Sequence, residues 1–592
     1  MSFKIHIVLG VHGHLPNGSG EDKFEALYNA EIKPLITTLY TFPRVNMVLH
    51  YSGVLLYWIE RRHPELFMIL EELLARKQAE LLGGGFYEPM MPLLAPADKV
   101  GQIEMFTTYL RKQFGKRPQG CWIPRGCWEQ NLVGPLTACG MSYTFLDDRY
   151  FEADPKAKGF VQPCITEDQG KLITVFPVSF GLGKGLIQDE TAFESLRTAL
   201  WPEQERLVTV FLAQGNNSET GYQKFFEFLS SQDADIDFTT SAKIHKSLRF
   251  SEKRYFSANS PRRILVDCPV ANGLYSKTIY THGVINQLRG DKVRKRTALE
   301  ELWKAQDSHL FDHPQISSSL RKAAYQALLE AEKIAREKGK FTPSLSIFDY
   351  DLDGEGEYLF QDDKLNCYIK AEGAGIFELD YLPKAWNYLD AFSPHSGDKK
   401  ARQAFTDFLA PLGTVPDAGN MPMARCCGAE LFEAAEIDRP RRKAFFHLPP
   451  VPGCPFGAIE IDKCWQIKKN VLSVRYVLKN TGSENERFIF IPRLDLSFPK
   501  NDEAFLRIFA VREGAKEALQ PGEILRDMNG LEFGDVENET ILALESNRHF
   551  DARVIHEWEG PEYQFTTIFP MLSLSLDPGK SWEADFSLKI NS

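Results

Sequence analysis

The sequence predicts an α/β region built on parallel strands, followed by a helical stretch and then an all-β region. Three observations carry this reading: a repeated strand-and-helix rhythm over roughly the first 215 residues, a helical middle, and alternating apolar and polar positions in the remainder. The first region holds seven short apolar runs, FKIHIVLGV, VNMVLHYS, AELLGGGF, GCWIP, YTFLD, LITVFP and LVTVFLA. Amphipathic segments separate them. In HPELFMILEELLARKQ, for example, Leu66, Ile69, Leu70, Leu73 and Leu74 recur at helical spacing. Seven βα units in series indicate a parallel sheet, open or closed into a barrel, and the pattern alone does not choose between them.

From Asn272 to Lys340 the text is helical, with TALEELWKAQ and SSLRKAAYQALLEAEKIAREKGK, the latter running to Gly339 without Pro or Gly. After Phe341 and Pro343 come DLDGEGEYLF, KLNCYIKAEGAGIFELDYL, VLSVRYVLKNTG and LSLSLDPGKSWEADFSLKI, the last read as a hairpin turning at Asp577, Pro578 and Gly579. This region is predicted to be a β-sandwich. The stretch from Ser393 to Arg442, rich in Pro, Gly, Ala and charge, reads as a long excursion from it.

Bulk properties exclude several classes. At 592 residues the chain is too long for one hydrophobic core, and two or three domains are expected. No apolar run approaches the roughly 20 residues that cross a bilayer. The opening MSFKIHIVLGVHGH reads as a buried first strand and not as a signal peptide, so a cytoplasmic location is expected. A net charge of −11 argues against a nucleic-acid partner. The ten cysteines show no CxxC pairs or zinc-finger spacing, and most are expected to be reduced core residues. An aromatic share of 12% suits a sugar-stacking cleft and, more simply, a large core.

In parallel barrels, reactive groups sit where strands end at the C-terminal face. Those ends here are His12 and His14, then Ser52, Tyr87 and Glu88, Arg125 and Trp128, Asp147 and Asp148, and Gln214. With them the chain resembles the 4-α-glucanotransferase and α-amylase type of glycoside hydrolase family 57. The likeness is carried by GVHGHLP, VLHYSGVLLYWIE, GGGFYEPMMP, WIPRGCW, TFLDDRYF and DLDGEGEYLF, spread over nearly the whole chain. The resemblance implies a (β/α)7 barrel over residues 1–270, a helical subdomain over 271–342 and a C-terminal β-sandwich over 343–592.

The resemblance also implies a retaining mechanism, in which a fourth-strand Glu attacks and a seventh-strand Asp protonates the leaving oxygen, the two about 5 Å apart. Here Arg125 stands at the nucleophile's position and Gln214 at the acid/base position, flanked by Ala213 and Asn216. Arginine cannot form a glycosyl ester, and glutamine cannot cycle a proton. The expectation is therefore a non-catalytic homologue that binds an α-glucan or related oligosaccharide, or regulates other sugar enzymes. Its remnant cleft is expected to use His12, His14, Tyr87, Glu88, Trp122, Trp128, Asp147 and Asp148.

The later AQDSH run (Ala305 to His309) departs from the family's Tyr-Trp-His run. No cofactor is expected, no membrane partner, and a homo-oligomer is left open. The alternative is an active carbohydrate enzyme, using relocated carboxylates (Glu88, Asp147) or a metal held by His12 and His14 with Asp147 as third ligand. Glu129 reads as a solvated first-turn residue near its helix. Arg125, if buried, is expected to pair with Glu88 or Asp147.

Overall fold

The computed structural model describes residues 5–151, 162–183, 206–212, 219–231, 236–248, 252–256, 261–311, 316–336, 341–391, 403–417, 425–559 and 562–592. Seven parallel strands form the first layer: β1 (Ile5–Gly13), β2 (Met47–Tyr51), β3 (Ala79–Leu81), β4 (Gly120–Cys121), β5 (Tyr143–Asp147), β6 (Lys171–Val178) and β7 (Arg206–Leu212). Each coincides with one of the seven apolar runs. One ladder joins β3, β2, β1 and β7, with a further short parallel strand, Ile236–Thr239, on β1, and another joins β4, β5 and β6.

Two parallel bridges, Gly83 to Cys121 and Ser179 to Val210, join the ladders on both sides. The sheet is therefore a closed barrel. The β2 and β5 strands are buried along their whole length, as continuous apolar strands covered on both faces should be. Inside, Val8, Val48, Trp122, Phe145, Phe176 and Phe211 pack into one cluster. Outside, the helix Pro64–Ala75 opens with Pro at its first turn and buries Leu66, Phe67, Leu70, Leu73 and Leu74.

The chain divides into two compact units, one of residues 1–266 and 303–320, the other of residues 267–302 and 321–592. The predicted helical stretch is thus shared between them. In the second unit the helices include Pro269–Asn286, and an antiparallel sheet of eighteen strands among the described residues wraps one large core containing Trp465, Tyr381, Tyr476 and Phe586. Lys277 is fully buried there, its ammonium paired with Asp380 at 2.5 Å and Glu378 at 3.1 Å.

Two local expectations change. The strands flanking the Asp577–Gly579 turn both pair with Thr540–Glu559 and differ in their other partner: Glu562–Leu576 pairs with Glu486–Leu496, and Ser581–Asn591 with Val471–Asn480. The turn carries the chain between ladders, with Gly579 at φ +73. The Ser393–Arg442 stretch is not all excursion either, because Ala404–Ala410 pairs with Glu486–Leu496 inside the sheet. The nine cysteines whose side chains are described are free thiols. No described helix is long and apolar enough to cross a membrane.

The barrel interior leaves no room beside Phe211, since a Cβ on Gly10 would sit 2.6 Å from that ring. Gly10→Val should therefore cost about 1–3 kcal/mol through overpacking. Urea unfolding followed by tryptophan fluorescence measures it, and an unchanged midpoint would show the interior to be loosely packed.

Candidate functional site

The mouth of the barrel is built from histidines delivered by the first two strands. His12 and His50 are direct neighbours across the β1–β2 ladder, so both imidazoles leave the sheet on the same side. Their Nδ1 atoms are 2.9 Å apart, one donating to the other. The rings stack at 5.1 Å, and Trp122 stacks on His12 at 4.7 Å and on Phe211 at 4.9 Å. His50 is fully enclosed, and its Nε2 has no hydrogen-bond partner. Burial, with the nearby His12 charge, pushes its pKa down to about 3, so His50 is neutral. A Cβ on Gly84 would lie 3.1 Å from that Nε2, which is why the glycine-rich run can pass so close.

Glu88 enters from the loop after β3. Its backbone is left-handed at φ +50, a conformation costly for a residue with a side chain and held here by the surrounding structure. Its carboxylate reaches two imidazoles: Oε1 is 3.0 Å from His12 Nε2, and Oε2 is 3.5 Å from His14 Nδ1. His14 Nδ1 also lies 2.8 Å from Ser52 Oγ, and its Nε2 is 3.0 Å from Asp307 Oδ2. Asp307 Oδ1 in turn lies 3.1 Å from His309 Nδ1. Imidazole and carboxylate thus alternate from His12 through Glu88, His14 and Asp307 to His309.

Backbone bonds bring Asp307 to this place. Ser308 N–H donates to the Glu88 carbonyl at 3.0 Å and Met90 N–H to the Gln306 carbonyl at 3.1 Å. The helix Pro96–Phe114 clamps both segments from beneath. Asp98 accepts from Trp303 Nε1 at 3.1 Å and from Gln306 Nε2 at 2.9 Å, and Gln102 accepts the Tyr87 N–H at 3.0 Å.

The charges follow from these contacts. Burial alone would raise the carboxyl pKa values, but the imidazoles outweigh it and hold Glu88 and Asp307 at about 2 each. Burial would likewise lower His14, yet Glu88 and Asp307 prevail and its pKa is raised, against opposition from the Arg125 charge. The centre is two carboxylates around an imidazolium.

The remaining expected residues lie as follows. Arg125 is exposed, at φ +58 in a tight turn, and the carboxylates expected to pair with it are otherwise engaged. Glu88 is held by His12 and His14, and Asp147 by Arg149 at 2.7 and 2.9 Å. Asp147 is therefore not a third ligand beside His12 and His14. Trp128 is fully buried in an apolar cluster with Ile103 and Leu132, and offers no face to a ligand. Tyr87 is buried, Asp148 opens the short helix Asp148–Phe151, and Glu129 pairs with Arg262 at 3.2 Å. Gln214 lies outside the described residues.

His50, Asp307 and His309 escaped the strand-end reasoning. A histidine inside the wholly apolar run MVLHY was the available signal for the first, and the unusual AQDSH run for the other two.

Residues 3–227 match the family described as Glycosyl hydrolase family 57. The match is confined to this N-terminal region, less than half of the chain. Alpha-amylase 1 of Dictyoglomus thermophilum is 26% identical over 448 residues, and the 4-alpha-glucanotransferase of Thermococcus litoralis 25% over 446. Each alignment spans 65% of this chain, with 65% of the amylase's length and 66% of the transferase's. The crystal structure of the Thermococcus litoralis 4-alpha-glucanotransferase superposes with a TM-score of 0.83 at 18% identity, covering 100% of both chains. The whole chain thus shares its fold with that enzyme, a barrel accompanied by helices and a large antiparallel sheet.

Chemically, the site holds imidazoles and carboxylates that can donate to and accept from hydroxyl groups. Two sets have metal-ligand proximity, His12 with His50 and Glu88, and His14 with Asp307 and His309, each with ligand atoms within 4.8 Å of one another.

Removing the imidazolium by His14→Gln should cost roughly 3 to 5 kcal/mol, the loss for a broken buried ion pair. A raised histidine pKa contributes stability fully below the unfolded value, about 6.5, and that contribution is lost as pH rises through the folded value. The carboxylates act at the other end: their share is present above roughly pH 4 and fades as pH falls toward 2. Urea melts should therefore show the gap between wild type and His14→Gln widest near about pH 6 and narrowing toward about pH 9. A gap independent of pH would show that His14 is neutral.

Proposed function

We propose that the family 57 barrel of this chain binds an α-glucan or a related oligosaccharide at its mouth and does not perform the retaining double displacement. The observation that carries this is the commitment of both buried carboxylates. Glu88 and Asp307 are 3% and 2% exposed, ionised, and locked to imidazoles. Double displacement needs one carboxylate free to attack and one carboxylic acid held protonated near neutrality. Neither state is available to this pair, and the position where the resemblance places the nucleophile is Arg125. The accessible heads are the imidazoles of His12 and His309, at 29% and 36% side-chain exposure. Such groups donate to and accept from sugar hydroxyls, and the carboxylates behind them fix their orientation.

Calorimetric titration with maltoheptaose, paired with chromatographic product analysis, tests the reading. Binding at one site without hydrolysis or transglycosylation is expected, with affinity lost in His12→Ala. Sustained turnover that Glu88→Gln abolishes would replace it with an enzyme using a relocated carboxylate.

A second reading is favoured by the buried, unpartnered His50 Nε2 beside His12 and Glu88. A divalent transition metal held by these three would polarise a sugar hydroxyl or bound water. On the favoured reading, chelator treatment leaves the melting temperature unchanged. A stoichiometric zinc or manganese signal lost in His50→Ala would establish the metal site instead.

A further inference from the structure

At the opposite end of the barrel, where the strands begin, a cavity of about 310 Å³ opens beside β3, β4 and β5. Its apolar floor is Leu74, Leu81, Leu110 and Phe114, and its rim carries Lys77, Lys116, Arg117, Lys243 and Lys246. Five cations around one cavity stand out in a chain whose net charge is −11. The single lining carboxyl is Glu80, which is already engaged: Tyr143 OH bonds it, Ala242 N–H donates to it at 2.9 Å, and burial pushes its pKa up. Two of the cations are also occupied, Lys116 by the Leu74 carbonyl at 2.7 Å and Arg117 by Glu104 at 2.7 Å. Lys77, Lys243 and Lys246 make no ion pair among the described residues.

Cavities of this size with an apolar floor and a few placed polar groups are the usual form of small-molecule sites. Packing would favour filling this one, since apolar lining atoms facing a void lose their contacts. Three lysines outside any ion pair among the described residues raise the positive potential around the opening, which favours an anion. The shape and charge together point to a ligand with a flat or aliphatic body and an anionic head. A neutral ligand would gain nothing from the three lysines.

We propose that this cavity binds a small organic phosphate monoester, the apolar body against Leu81, Leu110 and Phe114 and the phosphate among Lys77, Lys243 and Lys246. This site is separate from the barrel mouth, and the proposal stands whether or not the mouth binds sugar.

The test is calorimetric titration of the full chain with naphthyl phosphate, naphthol and inorganic phosphate. One naphthyl phosphate should bind per chain, with the uncharged and the bodiless probes each at least about tenfold weaker, a 1.4 kcal/mol difference. The double charge reversal Lys243→Glu with Lys246→Glu should weaken naphthyl phosphate at least about tenfold, whereas Lys171→Glu, a surface lysine of the same unit that does not line the cavity, should not. Lys77→Glu serves as a second variant should the double reversal fail to fold. Absence of naphthyl phosphate binding, equal binding of naphthol, or equal affinity in the reversal variants would each overturn the proposal.

Discussion

The Glu88, His14 and Asp307 ion-pair chain is the contact on which the architecture of the barrel mouth rests. Three parts of the chain distant in sequence meet there: the end of β1, the loop after β3, and the 305–309 segment. Two buried carboxylates facing each other without a cation between them would carry a large desolvation and repulsion cost. The His14 imidazole, its pKa raised, removes that conflict by hydrogen-bonding Asp307 and forming a 3.5 Å ion pair with Glu88. Its own burial is tolerable only because both partners are ionised. The backbone around it is correspondingly fixed, with Glu88 held at a positive φ by hydrogen bonds to residues 306–308 and by the Asp98 and Gln102 clamp.

That rigidity has a chemical consequence. A carboxylate that stabilises the fold through two imidazoles is a poor nucleophile, because attacking a sugar would strip the imidazolium of its partner. A carboxylate held at about 2 is a poor general acid near neutrality. The same network is well suited to holding imidazole heads at defined angles, as outer hydrogen-bond partners do for ligating histidines. Trp122 contributes through its place in the stack beneath His12, and not as an exposed platform.

Much of the fold was legible because a buried parallel sheet writes a simple code. Each of the seven barrel strands coincides with an apolar run, since strands covered on both faces have no reason to alternate. Closure was not legible, because it depends on two isolated bridges whose residues, Gly83, Cys121, Ser179 and Val210, carry no pattern. The Asp577–Gly579 turn was read as a hairpin because turn chemistry reports a local reversal and is silent on which strands pair beyond it.

In the site, strand-end reasoning found His12, His14 and Glu88. It missed His50, whose burial inside an apolar strand resembles ordinary core, and Asp307 and His309, whose proximity is set by long-range backbone bonds. Trp128 shows the reverse error: a tryptophan in a site-like motif is fully enclosed by Ile103 and Leu132. Arg125 was weighed as a buried partner for Glu88, but imidazoles already occupied that carboxylate and the guanidinium lies exposed.

The central claim, that neither Glu88 nor Asp307 is free to attack a sugar, is tested most directly by chemical trapping. The chain is incubated with a fluorinated glucosyl fluoride, a reagent that arrests retaining enzymes as stable glycosyl esters, and its intact mass is then measured. The account predicts an unmodified mass after prolonged incubation. A stoichiometric glycosyl adduct, mapped by peptide fragmentation to Glu88 or Asp307, would contradict it.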